Sequence, residues 1–171
     1  LPDLVVPMLP HALSSDLCSL LPEAERACLV CHMTLAADGS LREHRFVRGL
    51  MRSAARLTYR GLQANADGGR LDEAASALYG AFHSLLAARR QRGSLDFDMP
   101  ERRVYFNDDG HVSAISERPR YDSHRLVEEF MIAANVAAAT TLIERRSPCM
   151  FRIHDQPPHD KLEALREFLD G

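Results

Sequence analysis

The 171-residue sequence predicts an α+β fold: a mixed or antiparallel sheet of hairpins packed against a long buried central helix and flanking helices. Two segments of alternating hydrophobicity, each containing a turn sequence, indicate the hairpins. A long apolar segment after Asp122 indicates the central helix. The composition is typical of a globular domain, since 46% of the residues are hydrophobic and 26% are charged.

The amino-terminal part of the chain is expected to form a hairpin after an irregular segment. Residues 1–25 are rich in Pro, Ser and Leu but have no clear period, which predicts an ordered loop. Residues 27–35 alternate, and Asp38-Gly39 is a typical turn sequence, so a second strand is expected over residues 41–51. The apolar side chains that this alternation places on one face are Leu29, Cys31, Met33 and Leu35.

Helices dominate the expected structure of the remaining chain. Residues 71–90 repeat apolar side chains with a helical period, between the chain break at Gly68-Gly69 and the helix-ending Gly93. For the long helix, Asp122 is a plausible N-cap and Pro148 a stop signal. The elements expected after residue 100 are a hairpin of residues 103–106 and 111–115, a helix over 122–146, a short strand over 149–154 and a helix over 160–169.

The long helix carries polar side chains that need an explanation. Glu128 and Asn135 are seven residues apart, about two turns, and therefore lie on nearly the same face. A buried carboxylate and amide on one stripe could hold sugar hydroxyls. Alternatively both are structural, with Glu128 near the first-turn N–H groups and Glu129 paired with Arg125 at i, i+4.

A basic segment stands out in a chain whose net charge is −3. Residues 40–60 contain six arginines and one glutamate, a local charge of +5. Such a segment suits contact with phosphates, but it is equally typical of a solvated sheet face. Tyr59 lies near the end of this segment and could stack on or hydrogen-bond a nucleotide, although a Tyr at a helix start usually packs against its neighbours. The arginines are Arg42, Arg45, Arg48, Arg52, Arg56 and Arg60.

Candidate metal ligands are few. Cys28 and Cys31 resemble a zinc pair, but an odd spacing in a strand places them on opposite faces, so no zinc site is expected. Two short acidic motifs resemble magnesium ligands, and one of them, Asn107-Asp108-Asp109, is better explained as a hairpin turn. The other is Asp96-Phe97-Asp98. Phosphate-binding glycine loops, nucleophile elbows and dinucleotide fingerprints are absent from the sequence.

The cysteine content and hydropathy indicate a cytoplasmic protein. Four cysteines are too few for a disulfide scaffold, and residues 1–20 do not have the pattern of a secretory signal. The longest uncharged helical run, Phe130 to Ile143, has 14 residues, whereas a bilayer requires about 20. No membrane partner is therefore expected.

Several short motifs, in their order along the chain, resemble the central part of the RNB catalytic domain of the ribonuclease II and ribonuclease R family of 3′→5′ exoribonucleases. The match extends over nearly the whole chain. The motifs are Val-Pro-Met-Leu-Pro at residues 6–10, Met-Thr-Leu at 33–35, Ala-Arg-Leu-Thr-Tyr at 55–59, His-Arg-Leu-Val-Glu-Glu-Phe-Met-Ile-Ala-Ala-Asn at 124–135 and Phe-Arg-Ile-His-Asp at 151–155.

The resemblance implies processive hydrolysis of single-stranded RNA from the 3′ end, which releases nucleoside 5′-monophosphates and uses Mg²⁺. In the family, the metal-binding aspartates lie upstream of the Pro-Met-Leu-Pro motif, and an assisting arginine lies downstream of the part matched here. Residues 1–171 are therefore expected to be a partial RNB domain with no catalytic or metal-binding residue, inactive alone and with no Mg²⁺ bound. Asp96-Phe97-Asp98 mimics the aspartate motif but lies in the wrong place.

The resemblance also implies residues that hold RNA. Tyr59 and Glu128 match the pair that contacts nucleotide and ribose, the 2′-hydroxyl in particular. Phe97 matches an aromatic that stacks against bases. The expected partners are single-stranded RNA and flanking oligonucleotide-binding domains of a longer chain. The alternative is a non-catalytic RNA-binding or interaction module derived from the same family, and the sequence does not distinguish a ribonuclease II-like from an R-like type.

Overall fold

A computed structural model describes residues 4–94, 101–153 and 155–170, which form two antiparallel hairpins and four α-helices after a short π-helical turn at Ala12–Leu17. The α+β class is confirmed. The chain divides into two units, Leu1–Ala137 and Ala138–Gly171. The elements are β1 Glu25–Leu35, β2 Leu41–Arg52, α1 Tyr59–Asp67, α2 Glu73–Gln91, β3 Glu101–Phe106, β4 Val112–Arg118, α3 Asp122–Glu144 and α4 His159–Asp170.

The first hairpin pairs β1 with β2 in the register Val30 opposite Val47, with an irregularity after Thr34. Its turn is closed by Asp38, whose Oδ1 accepts hydrogen bonds from the Ser40 hydroxyl at 2.6 Å and the Ser40 N–H at 2.9 Å. The hydroxyl hydrogen bond is the main reason why the pKa of Asp38 lies below its ordinary value. The turn predicted from Asp38-Gly39 is thus present.

The expected single apolar face of β1 is only half correct. Cys31, Met33 and Leu35 are partly buried, but Leu29 is 69% exposed, and Val30 is partly buried instead. The partly buried face of β1 therefore changes from one side of the strand to the other between Val30 and Cys31. A strand of 11 residues is about twice the usual length, and the right-handed twist that strands have rotates their side-chain faces along such a length.

The second hairpin pairs β3 with β4, with Val104 opposite Ile115. Asn107 closes its turn by accepting a hydrogen bond on Oδ1 from the N–H of His111 at 2.8 Å. This is the hairpin that the sequence predicts, extended by a few residues at the open end.

The helices α1 and α2 begin at side-chain caps. Thr58 Oγ1 accepts from the Gly61 N–H at 3.1 Å, and Asp72 Oδ1 accepts from the Ala75 N–H at 2.7 Å. Helix α1 is not among the elements expected above, and the Thr58 cap is the sequence signal for it. The core of the first unit joins α1, α2 and α3 around Phe82, which is fully buried; the residues packed with it are Tyr79, Leu126, Leu62, Ala66, Leu71, Leu86, Val127 and Phe130.

Helix α3 is buried along one stripe and not on all sides as its composition suggests. The stripe follows the helical period and includes Leu126, Ala133 and Ala137, whereas Met131 and Val136 are more than half exposed. The whole helix has 23 residues, and its most apolar part has a mean hydropathy of 1.5, so its length and composition alone would allow it to cross a membrane. Core helices of soluble proteins share these properties.

The prediction of a strand over residues 149–154 is wrong for residues 149–153, which are described. Residues 149–153 have no regular structure, and His154 lies outside the described part of the chain. A strand requires a partner strand for its backbone hydrogen bonds, and the described residues of the second unit supply none. Helix α3 ends at Glu144, two residues earlier than expected, and α4 matches its expected position.

A tight contact at Gly39 predicts a large effect of one methyl group. Gly39 has φ +78°, and a Cβ there would collide with the backbone carbonyl of Ser84 and lie 2.8 Å from Ala88 Cβ. Gly110 has φ +79° but open space around it. We expect Gly110→Ala to cost about 1–2 kcal/mol of unfolding free energy from the left-handed backbone alone, and Gly39→Ala about 1–2 kcal/mol more from the collision.

Urea unfolding of both glycine variants measures this difference directly. Equal losses of stability would mean that the turn at Gly39 does not pack against α2 in solution.

Candidate functional site

Two carboxylates and two arginines meet on one side of α3. Arg89 Nη1, near the end of α2, donates to Glu129 Oε1 at 2.6 Å and lies 3.5 Å from Glu128 Oε1. Arg120 Nη2 donates to the other oxygen of Glu128, Oε2, at 3.1 Å. We call Arg89, Arg120, Glu128 and Glu129 the arginine–carboxylate cluster.

The two glutamates of this cluster differ in exposure. The Glu129 side chain is 5% exposed, whereas that of Glu128 is 43% exposed. The expectation that Glu128 is the buried carboxylate is therefore wrong. The buried stripe of α3 runs through Leu126, Glu129 and Ala133 at spacings of three and four residues, which places position 128 at the edge of the stripe.

Charges balance within the cluster, because two guanidinium groups face two carboxylates. The hydrogen bond to Glu129 is the main reason why the pKa of Arg89 is raised above its ordinary value, and burial acts in the opposite direction. Glu128 therefore offers acceptor oxygens to a ligand without presenting an uncompensated negative charge.

An aromatic stack lies one helical turn away. The rings of Tyr59 and His124 are stacked with centroids 4.2 Å apart and planes 19° from parallel, and Tyr121 stacks against His124 at 5.5 Å. The N–H of Tyr121 donates to His124 Nδ1 at 3.1 Å, so this ring nitrogen acts as an acceptor and orients the imidazole. We call Tyr59, His124 and Tyr121 the ring stack.

Hydrogen bonds fasten Tyr59 to the start of α3. The hydroxyl of Ser123, which is completely buried, donates to the Tyr59 carbonyl oxygen at 2.8 Å. The Ser123 N–H donates to Gln63 Oε1, one turn further along α1, at 3.2 Å. The backbone of Tyr59 is thus fixed while 43% of the residue remains exposed.

The structure brings two of the three predicted RNA-binding residues to one face of α3. Tyr59 stacks on His124, and Glu128 lies four residues after His124, one turn along the same face. Asn135 is exposed and lies two turns beyond Glu128. Phe97 lies outside the described residues.

The arginines of residues 40–60 do not form one continuous face. All six are exposed, but in β2 an odd spacing places Arg45 and Arg48 on opposite sides. Arg52 is paired with Glu23 at 2.6 Å. Arg56, in the loop before α1, and Arg60, in the first turn of α1, have no ion-pair partner among the residues that the structure describes.

Sequence reasoning missed the residues that hold Tyr59 and Glu128 in place. His124 belongs to the motif at residues 124–135, which was a usable signal. Arg89 is 39 residues from Glu128 in the chain, and no local pattern connects them.

The described residues do not fit a magnesium centre. No group of three or more His, Cys, Asp or Glu side chains comes together among residues 4–94, 101–153 and 155–170. Glu128 and Glu129 are already paired with guanidinium groups, which would repel a divalent cation. Cys28 and Cys31 lie on opposite faces of β1, and burial raises the pKa of the Cys31 thiol.

Comparison with known proteins identifies the family. The sequence-family model of the RNB domain matches residues 1–170. The chain belongs to the RNB family. Ribonuclease R of Vibrio parahaemolyticus and that of Escherichia coli K12 are each 36% identical to it over 176 residues, 98% of this chain. Exoribonuclease 2 of Edwardsiella piscicida is 40% identical over 163 residues, 90% of this chain.

The RNB chain described here spans about a fifth to a quarter of these relatives, namely 21%, 22% and 25% of their lengths. Among solved structures, the apo form of Mycoplasma genitalium RNase R is similar with a TM-score of 0.88 and 24% identity, over 96% of this chain and 27% of that chain. The same enzyme in complex with ribose-methylated single-stranded RNA matches with a TM-score of 0.88 and, with double-stranded RNA, 0.87. These likenesses support the fold.

Proposed function

We propose that this chain is the RNA-holding part of a longer 3′→5′ exoribonuclease that processively hydrolyses single-stranded RNA to nucleoside 5′-monophosphates. The observation that carries the proposal is that Tyr59 of α1 stacks on His124, one turn before Glu128 on the same face of α3, and that both Tyr59 and Glu128 are partly exposed. Membership of the RNB family and the RNA complexes of the M. genitalium enzyme support it.

The chemistry of the site suits a ribonucleotide. An exposed carboxylate oxygen of Glu128 accepts a hydrogen bond from a ribose 2′-hydroxyl, and Tyr59 offers a ring and a phenol to the same nucleotide. The neutral arginine–carboxylate cluster does not repel phosphates as an isolated glutamate would. Arg56 and Arg60 add positive charge beside Tyr59.

Other parts of the longer protein complete the enzyme in this proposal. Aspartates outside this chain would hold Mg²⁺, and the metal ion would supply the activated water and the charge stabilisation for phosphodiester hydrolysis. Within this chain, Phe97 stacks on bases of the same RNA. Flanking oligonucleotide-binding domains attract the RNA backbone, and the protein acts in the cytoplasm.

Selectivity for RNA over DNA tests the roles of Glu128 and Tyr59. DNA lacks the 2′-hydroxyl, so the hydrogen bond to the half-exposed Glu128 carboxylate is not made, and one such hydrogen bond is worth about 0.5–1.5 kcal/mol. We therefore expect Glu128→Gln and Tyr59→Phe in the full-length protein to reduce the RNA/DNA ratio of affinities, mainly through weaker RNA binding. The measurement is the Kd for matched oligoribonucleotides and oligodeoxyribonucleotides.

Glu117→Gln, on the exposed strand β4, is the matched control and should leave the ratio unchanged. An equal loss of affinity for RNA and DNA in the Glu128 and Tyr59 variants would contradict the proposal.

The isolated 171-residue chain is expected to release no nucleotides from RNA, because the described residues lack the clustered carboxylates that two metal ions require. A 3′-labelled oligoribonucleotide with Mg²⁺ or Mn²⁺ tests this expectation. Stepwise release of labelled monophosphate that persists through repurification would show that the chain contains its own catalytic centre.

A further inference from the structure

We propose that Arg89 is a positioning residue: anchored by the buried Glu129, its guanidinium holds the Glu128 carboxylate in the orientation that receives the ribose 2′-hydroxyl. This inference rests on the proposed role of Glu128. It adds a specificity-determining residue from a different helix, α2, which contributes no other group to the site described above.

The anchoring step is visible in the distances. Arg89 Nη1 donates to Glu129 Oε1 at 2.6 Å, and the two side chains are 24% and 5% exposed. A short charge-assisted hydrogen bond to a buried partner fixes the guanidinium in one place. The same nitrogen lies 3.5 Å from Glu128 Oε1, so one fixed group faces both carboxylates.

Glu128 needs such restraint because it lies at the edge of the buried stripe. A half-exposed glutamate has several accessible rotamers, and ordering it costs free energy whenever a ligand binds. Here Arg89 faces Oε1 and Arg120 holds Oε2 at 3.1 Å, so both oxygens are restrained before any ligand arrives. A carboxylate has about four acceptor sites, and those not used by the arginines remain available to a hydroxyl.

An arginine suits this position better than a lysine. Its planar guanidinium presents five N–H donors in a rigid fork and can face two carboxylates at once. A lysine at position 89 would keep the charge but lose the fixed geometry. Arg89→Lys is therefore expected to retain only part of the effect on Glu128.

The test uses the full-length protein and the RNA/DNA ratio of affinities, obtained from the Kd values of matched RNA and DNA oligonucleotides. Removing Arg89 alone leaves Glu129 buried without a partner, so the main variant is Arg89→Met with Glu129→Met, which removes both charges together. We expect this double change to reduce the RNA/DNA ratio by about 2- to 10-fold, the worth of one hydrogen bond, with DNA affinity unchanged. Arg89→Lys should give a smaller reduction, and Arg90→Met, at an exposed neighbour, none.

Coupling to Glu128 separates positioning from a general structural effect. In a Glu128→Gln background, the double change should reduce the ratio little further, because the group that Arg89 positions is already altered. If Glu128→Gln lowers the ratio but the double change does not, the inference is wrong and the proposed function stands. If Glu128→Gln itself leaves the ratio unchanged, both fail. Equal losses for RNA and DNA in the double variant would also overturn the inference.

Discussion

Replacing Arg89 with methionine is expected to lower the free energy of unfolding by about 3–5 kcal/mol. The reason is the carboxylate left behind. Glu129 is only 5% exposed and accepts its short hydrogen bond from Arg89. Removing one partner of a buried ion pair leaves the other charged and poorly solvated, which costs far more than the net worth of the pair.

Urea unfolding, followed by circular dichroism, measures this loss against two controls. Arg90→Met removes a neighbouring, exposed arginine and should change stability by less than about 0.5 kcal/mol. Adding Glu129→Met to Arg89→Met should restore most of the lost stability, since no buried charge then remains. If Arg89→Met behaves like Arg90→Met, the ion pair between α2 and α3 does not form in solution.

Elements that depend on nearby residues were predictable from the sequence. The alternation of β1 and the Asp38-Gly39 turn fixed the first hairpin, because turn chemistry and strand register are local properties. The second hairpin and α2 followed in the same way. The Thr58 cap shows that α1 carries a local sequence signal as well.

Properties that depend on distant residues were not predictable. The strand expected over residues 149–154 needed a partner that the sequence could not identify. The change of covered face within β1 depends on what lies beside each end of a twisted hairpin. For α3, the helical period of the apolar residues predicts a buried stripe, but the apolar composition overstates how much of the helix surface is buried.

The candidate site also combines properties that depend on nearby residues with properties that depend on distant ones. Residue types and spacing alone allow both structural and RNA-binding roles for Tyr59 and Glu128, and the family resemblance favours RNA binding. Local periodicity could have shown that Glu129, and not Glu128, faces inward. The pairing of Arg89 with these glutamates joins residues about 40 positions apart, so it required the three-dimensional arrangement of α2 and α3.

Phe82 is the residue whose truncation should affect the first unit most through packing. It is fully buried and meets the ring of Tyr79 edge-on with centroids 6.2 Å apart. The hydrophobic cluster around Phe82 includes Leu62 of α1 and Leu126 of α3. Phe82→Ala would leave a large cavity where three helices meet, and we expect it to lower the free energy of unfolding by about 3–5 kcal/mol.

Loss of this core also predicts a functional consequence, because Tyr59 begins α1 and Glu128 lies on α3. If the core holds these helices together, Phe82→Ala should weaken RNA binding by the full-length protein even at temperatures where it remains folded. Phe168→Ala, at a position 80% exposed on α4, is the matched control and should change neither stability nor affinity measurably. Unfolding curves and RNA dissociation constants measured on both variants decide the point: a Phe82→Ala protein as stable as the control would show that the three helices do not share this core.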